Sequence, residues 1–269
     1  MMDMAATGGL ADSGGLSGRV AIVTGASTGI GRGIAMALAA AGASVVVGYQ
    51  DNAAGADQTC ASIAAAGGQA RACAADTGTQ SGADTLVSAA IDTWGRLDVM
   101  SCHAGVTAWG PFLDVTAEAL DTVVATNIRG TFLSAQAAAR RMVAQGQGGR
   151  LLLTASVTGV RAIANLSAYA MTRAAVEALA RNLALELGAH GITANALVVG
   201  PIVNDRNLAD DPDYAARWAS ILPVGRAGMA TDVGAVAAFL ASDASGFVTG
   251  ASIPVDGGWI MTGQVPPAI

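Results

Sequence analysis

Lysine is missing from this chain, and all 14 of its basic residues are arginines. Wherever chemistry would favour an ammonium, only a guanidinium is available. Against 20 acidic residues they leave a net charge of -6, so no basic stripe exists to neutralise phosphates, which argues against nucleic acid as a partner. Cysteine is scarce and odd in number: Cys60, Cys73 and Cys102 lack metal-ligand spacing and read as free thiols of a reducing cytoplasm, with no metal site expected. A membrane span is missing too. Mean hydropathy is positive at +0.48, but it comes from alanine, and the most apolar stretch, residues 34 to 47, is broken by Gly42 and Ser44. The first 18 residues carry Asp3 and Asp12, no basic residue and no apolar core, unlike a secretory or transit signal. Residues 1 to 17 read as a flexible leader.

What is present suits one medium-sized domain from residue 18 to 269, with 35 glycines for tight strand-helix junctions. Apolar strand-like segments at 19–23, 43–47, 70–74, 97–101, 150–154, 192–197 and 251–255 alternate with Ala-rich helical segments. The helices are expected near 32–42, 53–66, 80–94, 117–145, 167–188 and 231–242. This alternation predicts an α/β fold, a doubly wound, seven-stranded parallel sheet of Rossmann type. Right-handed crossovers then gather ligands at the carboxyl ends of the strands, where Gly25, Tyr49, Asp76, Ala104, Ser156 and Gly200 fall.

The most informative stretch is Thr24-Gly-Ala-Ser-Thr-Gly-Ile-Gly31, which joins the first strand to the first helix. Gly25, Gly29 and Gly31 permit a tight turn and close backbone approach, and the helix N-terminus that follows attracts a dinucleotide pyrophosphate. At the same edge, residues 200 to 228 hold no convincing strand but carry Asp205, Asp210, Asp211, Asp213, Tyr214 and Trp218. So long a loop in a compact domain suggests a substrate lid.

Ser156 ends a strand, while Tyr169 and Arg173 lie four apart on one helix face. A phenol, with an ordinary pKa of about 10, serves as acid or base only where a neighbour draws it toward working pH. A fixed cation one turn away supplies that influence. With Ser156 bonding the substrate oxygen, the trio could move a proton while a nicotinamide moves a hydride.

In these motifs the chain resembles the short-chain dehydrogenase/reductase family from residue 18 to about 260. Thr24 to Gly31 matches the family's Thr-Gly-x-x-x-Gly-x-Gly turn, Asp76 its adenine-contacting acid, and Cys102-His-Ala-Gly105, imperfectly, its Asn-Asn-Ala-Gly motif. Asn127, Ser156 and Tyr169 fall where the family places three catalytic residues, and Gly200-Pro-Ile-Val-Asn204 follows its nicotinamide-contacting loop. Among family members, glucose 1-dehydrogenases and 3-oxoacyl-carrier-protein reductases look most similar. The resemblance implies that Tyr169 is the acid or base, that Ser156 positions the substrate oxygen, that Asn127 orders a water chain and that Arg173 stands for the family's lysine. The cofactor would lie along Gly25, Ser27, Thr28, Gly29, Ile30 and Gly31. Its adenosine would meet Tyr49, Gln50, Asp76 and Thr77, and its nicotinamide half His103, Ala104, Gly105, Tyr169, Arg173, Gly200, Pro201, Ile202 and Asn204.

Four departures bear on these implications: Arg173 for lysine, Cys102 and His103 for two asparagines, Val199 for proline and Asn204 for threonine. Arginine keeps the charge but is longer, planar and essentially never deprotonated. Cys102 reads as a small buried residue, and His103 as a structural replacement whose imidazole could also contact the cofactor or shuttle protons. Tyr49 occupies the place of the acid that would select NAD by bonding the ribose 2'-hydroxyl. That missing acid tilts the expectation to NADP, although no arginine stands at 28 or 50 to hold a 2'-phosphate and Asp51 lies close by, so NAD is also accommodated. The expected protein is a cytoplasmic homotetramer that interconverts a secondary alcohol and a ketone on a sugar or other small polar carbonyl compound. The alternatives are a 3-oxoacyl thioester reductase and a catalytically silent dinucleotide-binding subunit.

Overall fold

Strands that are buried at every position are covered on both faces. This holds for β1 (Val20–Val23), β4 (Val99–Cys102), β5 (Gly149–Ser156) and β6 (Ile192–Val199), buried throughout, whereas β3 (Gln69–Ala74) and β7 (Ser252–Val255) are partly exposed edge strands. The computed structural model describes residues 15–265. With β2 (Ser44–Tyr49), the strands form one parallel sheet in the order β3-β2-β1-β4-β5-β6-β7, the seven-stranded Rossmann arrangement that the alternation predicts.

Period-2 alternation divides each strand between two cores. In β1, Val20 and Ile22 join Leu86, Met100, Leu151 and Met142, while Ala21 and Val23 join Ile34, Leu38, Val45 and Leu240. The first core lies under α3 (Gln80–Trp94), α5 (Thr131–Gln145) and α6 (Ser167–Leu187). The second lies under α1 (Gly29–Ala40), α2 (Ala53–Ala65) and α9 (Ala230–Ala241). The direction of the strand order reverses between β1 and β4, which opens a crevice at their carboxyl ends.

Three features depart from the sequence expectations. The helix expected over 117–145 is α4 (Ala117–Val123), a π-helical turn (Val124–Gly130) and α5. Such wide turns collect at functional sites, and this one buries Asn127 completely. Leu16, placed in the leader, is 0% exposed and its N–H donates to Ala41 O at 2.7 Å, so packing begins before residue 18. The rest of the leader, residues 1–14, lies outside the described residues. The segment 200–228 is not irregular: it carries α7 (Asp205–Asp210) and α8 (Tyr214–Ala219). A bridge between Ile202 and Gly228 closes its base. Trp218 packs its ring 6.0 Å from Tyr214 and 6.3 Å from Trp259, which opens α10 (Trp259–Thr262). Among the described residues, no helix is long and apolar enough to cross a membrane.

Candidate active site

The turn after β1 is tied to the loop after β4 by one hydroxyl. Thr24 Oγ1 accepts the backbone N–H groups of His103 and Ala104, each at 2.9 Å. Thr28 caps α1 without a side-chain hydrogen bond, and the first turn holds no acid, so the N–H groups at the helix start are left for an anion. Gly31 is the cradle. A Cβ there would stand 2.2 Å from Gly25 O and 2.7 Å from His103 Cδ2. A dinucleotide pyrophosphate therefore fits this turn.

The cleft beside the turn encloses about 560 Å³. Of the expected cofactor residues, Gly25, Ser27, Thr28, Gly29, Ile30, His103, Ala104, Gly105, Gly200, Ile202 and Asn204 line it, as do Ser156, Tyr169 and Arg173. Gly31 and Pro201 are buried behind the wall. Tyr49 is half-buried at the end of β2, and Gln50 and Asp76 are exposed beyond the cleft, with Asp76 accepting the Gly78 N–H at 2.9 Å beside buried Thr77.

Ser156 is the last residue of β5. Its Oγ accepts from Thr158 N at 3.3 Å and from Thr158 Oγ1 at 3.1 Å, which leaves its own proton to donate into the cleft. Tyr169, in the first turn of α6, lines the cleft, and Arg173 follows one turn later. The Arg173 guanidinium carbon lies 4.9 Å from the Tyr169 ring centroid, and Nη1 donates to Thr154 O at 2.8 Å. Arginine fits because residue 105 has no side chain: a Cβ on Gly105 would stand 2.2 Å from Arg173 Nη2.

Asn127 uses both ends of its amide on protein. Oδ1 accepts Val106 N at 2.8 Å, and Nδ2 donates to Val106 O at 2.9 Å and Thr172 Oγ1 at 3.1 Å. Thr172 in turn donates to Tyr169 O at 2.7 Å, so Asn127 braces the turn that carries Tyr169. His103 places Nδ1 3.2 Å from Thr154 Oγ1, and burial, then the Arg173 charge, pushes its imidazole down to about 4. Cys102 is a core residue whose thiol burial pushes up to about 12. Over the mouth, Arg206 Nη1 donates to Thr107 Oγ1 at 3.3 Å, and Asn204 caps α7 by accepting Asn207 N at 3.0 Å.

Several participants escape the sequence motifs. Thr154 meets both His103 and Arg173; it stands two before Ser156 on one strand, and period-2 alternation would have placed both side chains on one face. Arg32 Nη2 donates to Ser27 O at 2.7 Å and Nε to Thr59 Oγ1 at 3.0 Å, binding the turn to α2 through neutral oxygens. No local signal marks Arg206 or Thr107, which meet only through tertiary structure.

Known proteins resemble this chain in sequence and fold. Residues 25–260 match the family model described as enoyl-(acyl carrier protein) reductase. The chain is 40% identical over 245 residues to an L-rhamnose 1-dehydrogenase (NAD(P)(+)) of Azotobacter vinelandii, covering 89% of this chain and 96% of that one. A short-chain type dehydrogenase/reductase from Mycobacterium marinum superposes with a TM-score of 0.87 at 36% identity, over 92% of this chain and 98% of that one. A protein from Agrobacterium tumefaciens, provisionally named a 2-deoxy-D-gluconate 3-dehydrogenase and solved with NADP, superposes with a TM-score of 0.84 at 32% identity, over 93% and 99%. With sequence and superposed fold in agreement over nearly the whole length, the chain belongs to the short-chain dehydrogenase/reductase family.

Proposed function

We propose that this protein is an NAD(P)-dependent dehydrogenase that interconverts a secondary alcohol and a ketone on a sugar or other small polar carbonyl compound. The observation that carries this reading is the meeting of Ser156, Tyr169 and Arg173 in the cleft that the phosphate-binding turn opens into. The names of the Azotobacter and Agrobacterium relatives support a sugar or sugar acid as substrate.

When bound, the nicotinamide supplies or accepts the hydride. Tyr169 takes the alcohol proton as the phenolate in the oxidative direction and gives it back as the phenol in reduction. Ser156 donates its free proton in a hydrogen bond to the substrate oxygen and fixes it beside Tyr169. Arg173 places a permanent positive charge against the ring and favours negative charge there during transfer. It holds its proton throughout, so it charges and orients the site rather than relaying protons. The segment 200–228 acts as the substrate lid, with Arg206 reaching across the mouth to Thr107.

NADP is the preferred cofactor in this reading. Tyr49 offers no carboxylate to repel a 2'-phosphate, and the Arg32 charge beside Ser27 is bonded only to neutral oxygens. The unpaired cysteines suit a reducing cytoplasm. The assembly is a homotetramer, since closed assemblies of that size use two distinct self-complementary patches and the surface offers two. Phe132 and Met171 are 46% and 47% exposed on α5 and α6. Leu185, near the end of α6, and Phe247, in the turn before β7, are exposed as well, and Gly250 of that turn approaches Ala184.

Turnover of a panel of sugars, sugar acids and 3-oxoacyl thioesters with NAD and NADP tests the assignment. Activity confined to the thioesters would move the function to acyl reduction. Tight cofactor binding without any turnover would make the protein a silent binding subunit.

A further inference from the structure

Behind Tyr169 runs a chain of contacts that the hydride transfer does not itself require. His103 Nδ1 lies 3.2 Å from the Thr154 hydroxyl, and the Thr154 carbonyl accepts Arg173 Nη1 at 2.8 Å. That bond is the guanidinium's single hydrogen bond among the described residues, because Nε is buried without a partner and no bond reaches Nη2. The placement of the cation therefore depends on one carbonyl, and the attitude of that carbonyl depends on what holds Thr154.

We propose that His103 is a positioning residue that acts through Thr154 to hold the Arg173 guanidinium against Tyr169. The inference rests on the catalytic reading above and extends it to a residue outside the reacting trio. Thr154 is 5% exposed, and its hydroxyl finds its partner in the imidazole. The ring is itself fixed: its backbone N–H is held by Thr24 Oγ1, and its Cδ2 lies 2.7 Å from where a Gly31 Cβ would stand. An uncharged ring suits the place, since an imidazolium would repel the guanidinium it positions. His103 thus couples the phosphate-binding turn to the charge beside the proton-transfer residue.

Two measurements on His103→Ala, Thr154→Val and their double variant test the coupling. In nitrogen-15 spectra, the Arg173 Nε–H signal, assigned by its loss in Arg173→Lys, is expected to shift in each single variant. In kinetics, each single variant should lower kcat by about tenfold, the worth of one buried hydrogen bond. The double variant should be no slower than the worse single. His103→Asn, whose amide can still bond the Thr154 hydroxyl, should restore most of what His103→Ala loses, and cofactor Kd should move by less than about twofold. Thr154→Ser, which keeps the hydroxyl, guards against a folding defect in Thr154→Val and should keep the Arg173 signal in place. Losses that multiply, a loss confined to cofactor Kd, or an unmoved Arg173 signal would overturn the proposal. If the unmodified protein turns over nothing on the panel, the functional reading fails, and the spectra alone decide whether His103 acts on Arg173.

Discussion

The Arg173 guanidinium carbon stands 4.9 Å from the centroid of the Tyr169 ring, a contact set by their spacing of one helical turn in α6. Both ends of the arrangement are fixed. Thr154 O receives Nη1 from below, while the open space at Gly105 accommodates the extra length of an arginine. The family's lysine is thus replaced at a place where backbone geometry receives the larger head group.

Gly105→Ala should break this accommodation. The added methyl would lie 2.2 Å from Arg173 Nη2 and 3.0 Å from Asn127 Oδ1, so the guanidinium has to move away at the expense of its one bond to Thr154 O, while Asn127 is held by Val106. Overpacking of this kind costs about 1–3 kcal/mol, and displacement of the cation should lower turnover by an order of magnitude or more. Urea unfolding together with steady-state turnover checks both. Full activity in the variant would show that the guanidinium does not need its observed place.

Cofactor preference should follow from position 49. With Tyr49 at the end of β2 and the Arg32 charge unopposed beside Ser27, NADPH is expected to bind at least as tightly as NADH. Tyr49→Asp should shift preference toward NADH by repelling the 2'-phosphate. Fluorescence titration of both cofactors measures this, and a strong NADH preference in the unmodified protein would refute it.

His103 should tie stability to pH. Burial, and after it the Arg173 charge, lowers the imidazole from 6.5 to about 4, so between those values the unfolded chain binds more protons than the folded one. Stability therefore rises with pH across the window: the contribution is fully present above 6.5 and is lost as pH falls toward 4. The full shift corresponds to about 3 kcal/mol at most. His103→Asn should flatten the curve of urea unfolding free energy against pH in this range. A curve parallel to that of the unmodified protein would show that the imidazole titrates alike in both states.

The sheet was legible in the sequence because parallel strands buried on both faces leave continuous apolar runs, and the turn at Thr24 to Gly31 because close approach tolerates only glycine at position 31. The single helix read over 117–145 was wrong at its centre. A π turn keeps helical composition and changes only which residues face inward, so alanine-rich periodicity passed through Asn127 without a mark. Leu16 was missed for a different reason: one apolar residue among glycine and serine has no periodicity, and its burial comes from the Ala41 carbonyl and a pocket made elsewhere. Thr154 was overlooked although its partner Ser156 was found. Its role lies as much in its carbonyl as in its side chain, and a carbonyl leaves no trace in residue identity.

Assembly gives a further test. If Phe132 and Met171 mark one self-complementary patch and Leu185 and Phe247 another, sedimentation at micromolar concentration should give a tetramer. Phe247→Asp should then yield a dimer, since it charges one patch and leaves the other intact. A monomer in the unmodified protein would remove the assignment.

The last prediction weighs a compensated active site against an impaired one. If Tyr169 needs only a fixed positive charge, arginine suffices, because its guanidinium carries that charge 4.9 Å from the ring centroid. Arg173→Lys should then change turnover little. If the site also needs a compact ammonium, that variant should gain activity. The structure argues against a gain from lysine: Thr154 O and the space at Gly105 receive a guanidinium, and a lysine there would leave Thr154 O without its present donor. Arg173→Ala should abolish turnover, and Tyr169→Phe should do the same while sparing cofactor binding, because it deletes only the hydroxyl that carries the proton. The decisive comparison is turnover of the unmodified protein, Tyr169→Phe and Arg173→Ala on one accepted substrate, with cofactor titration alongside. Equal rates in all three would end the catalytic reading of this site.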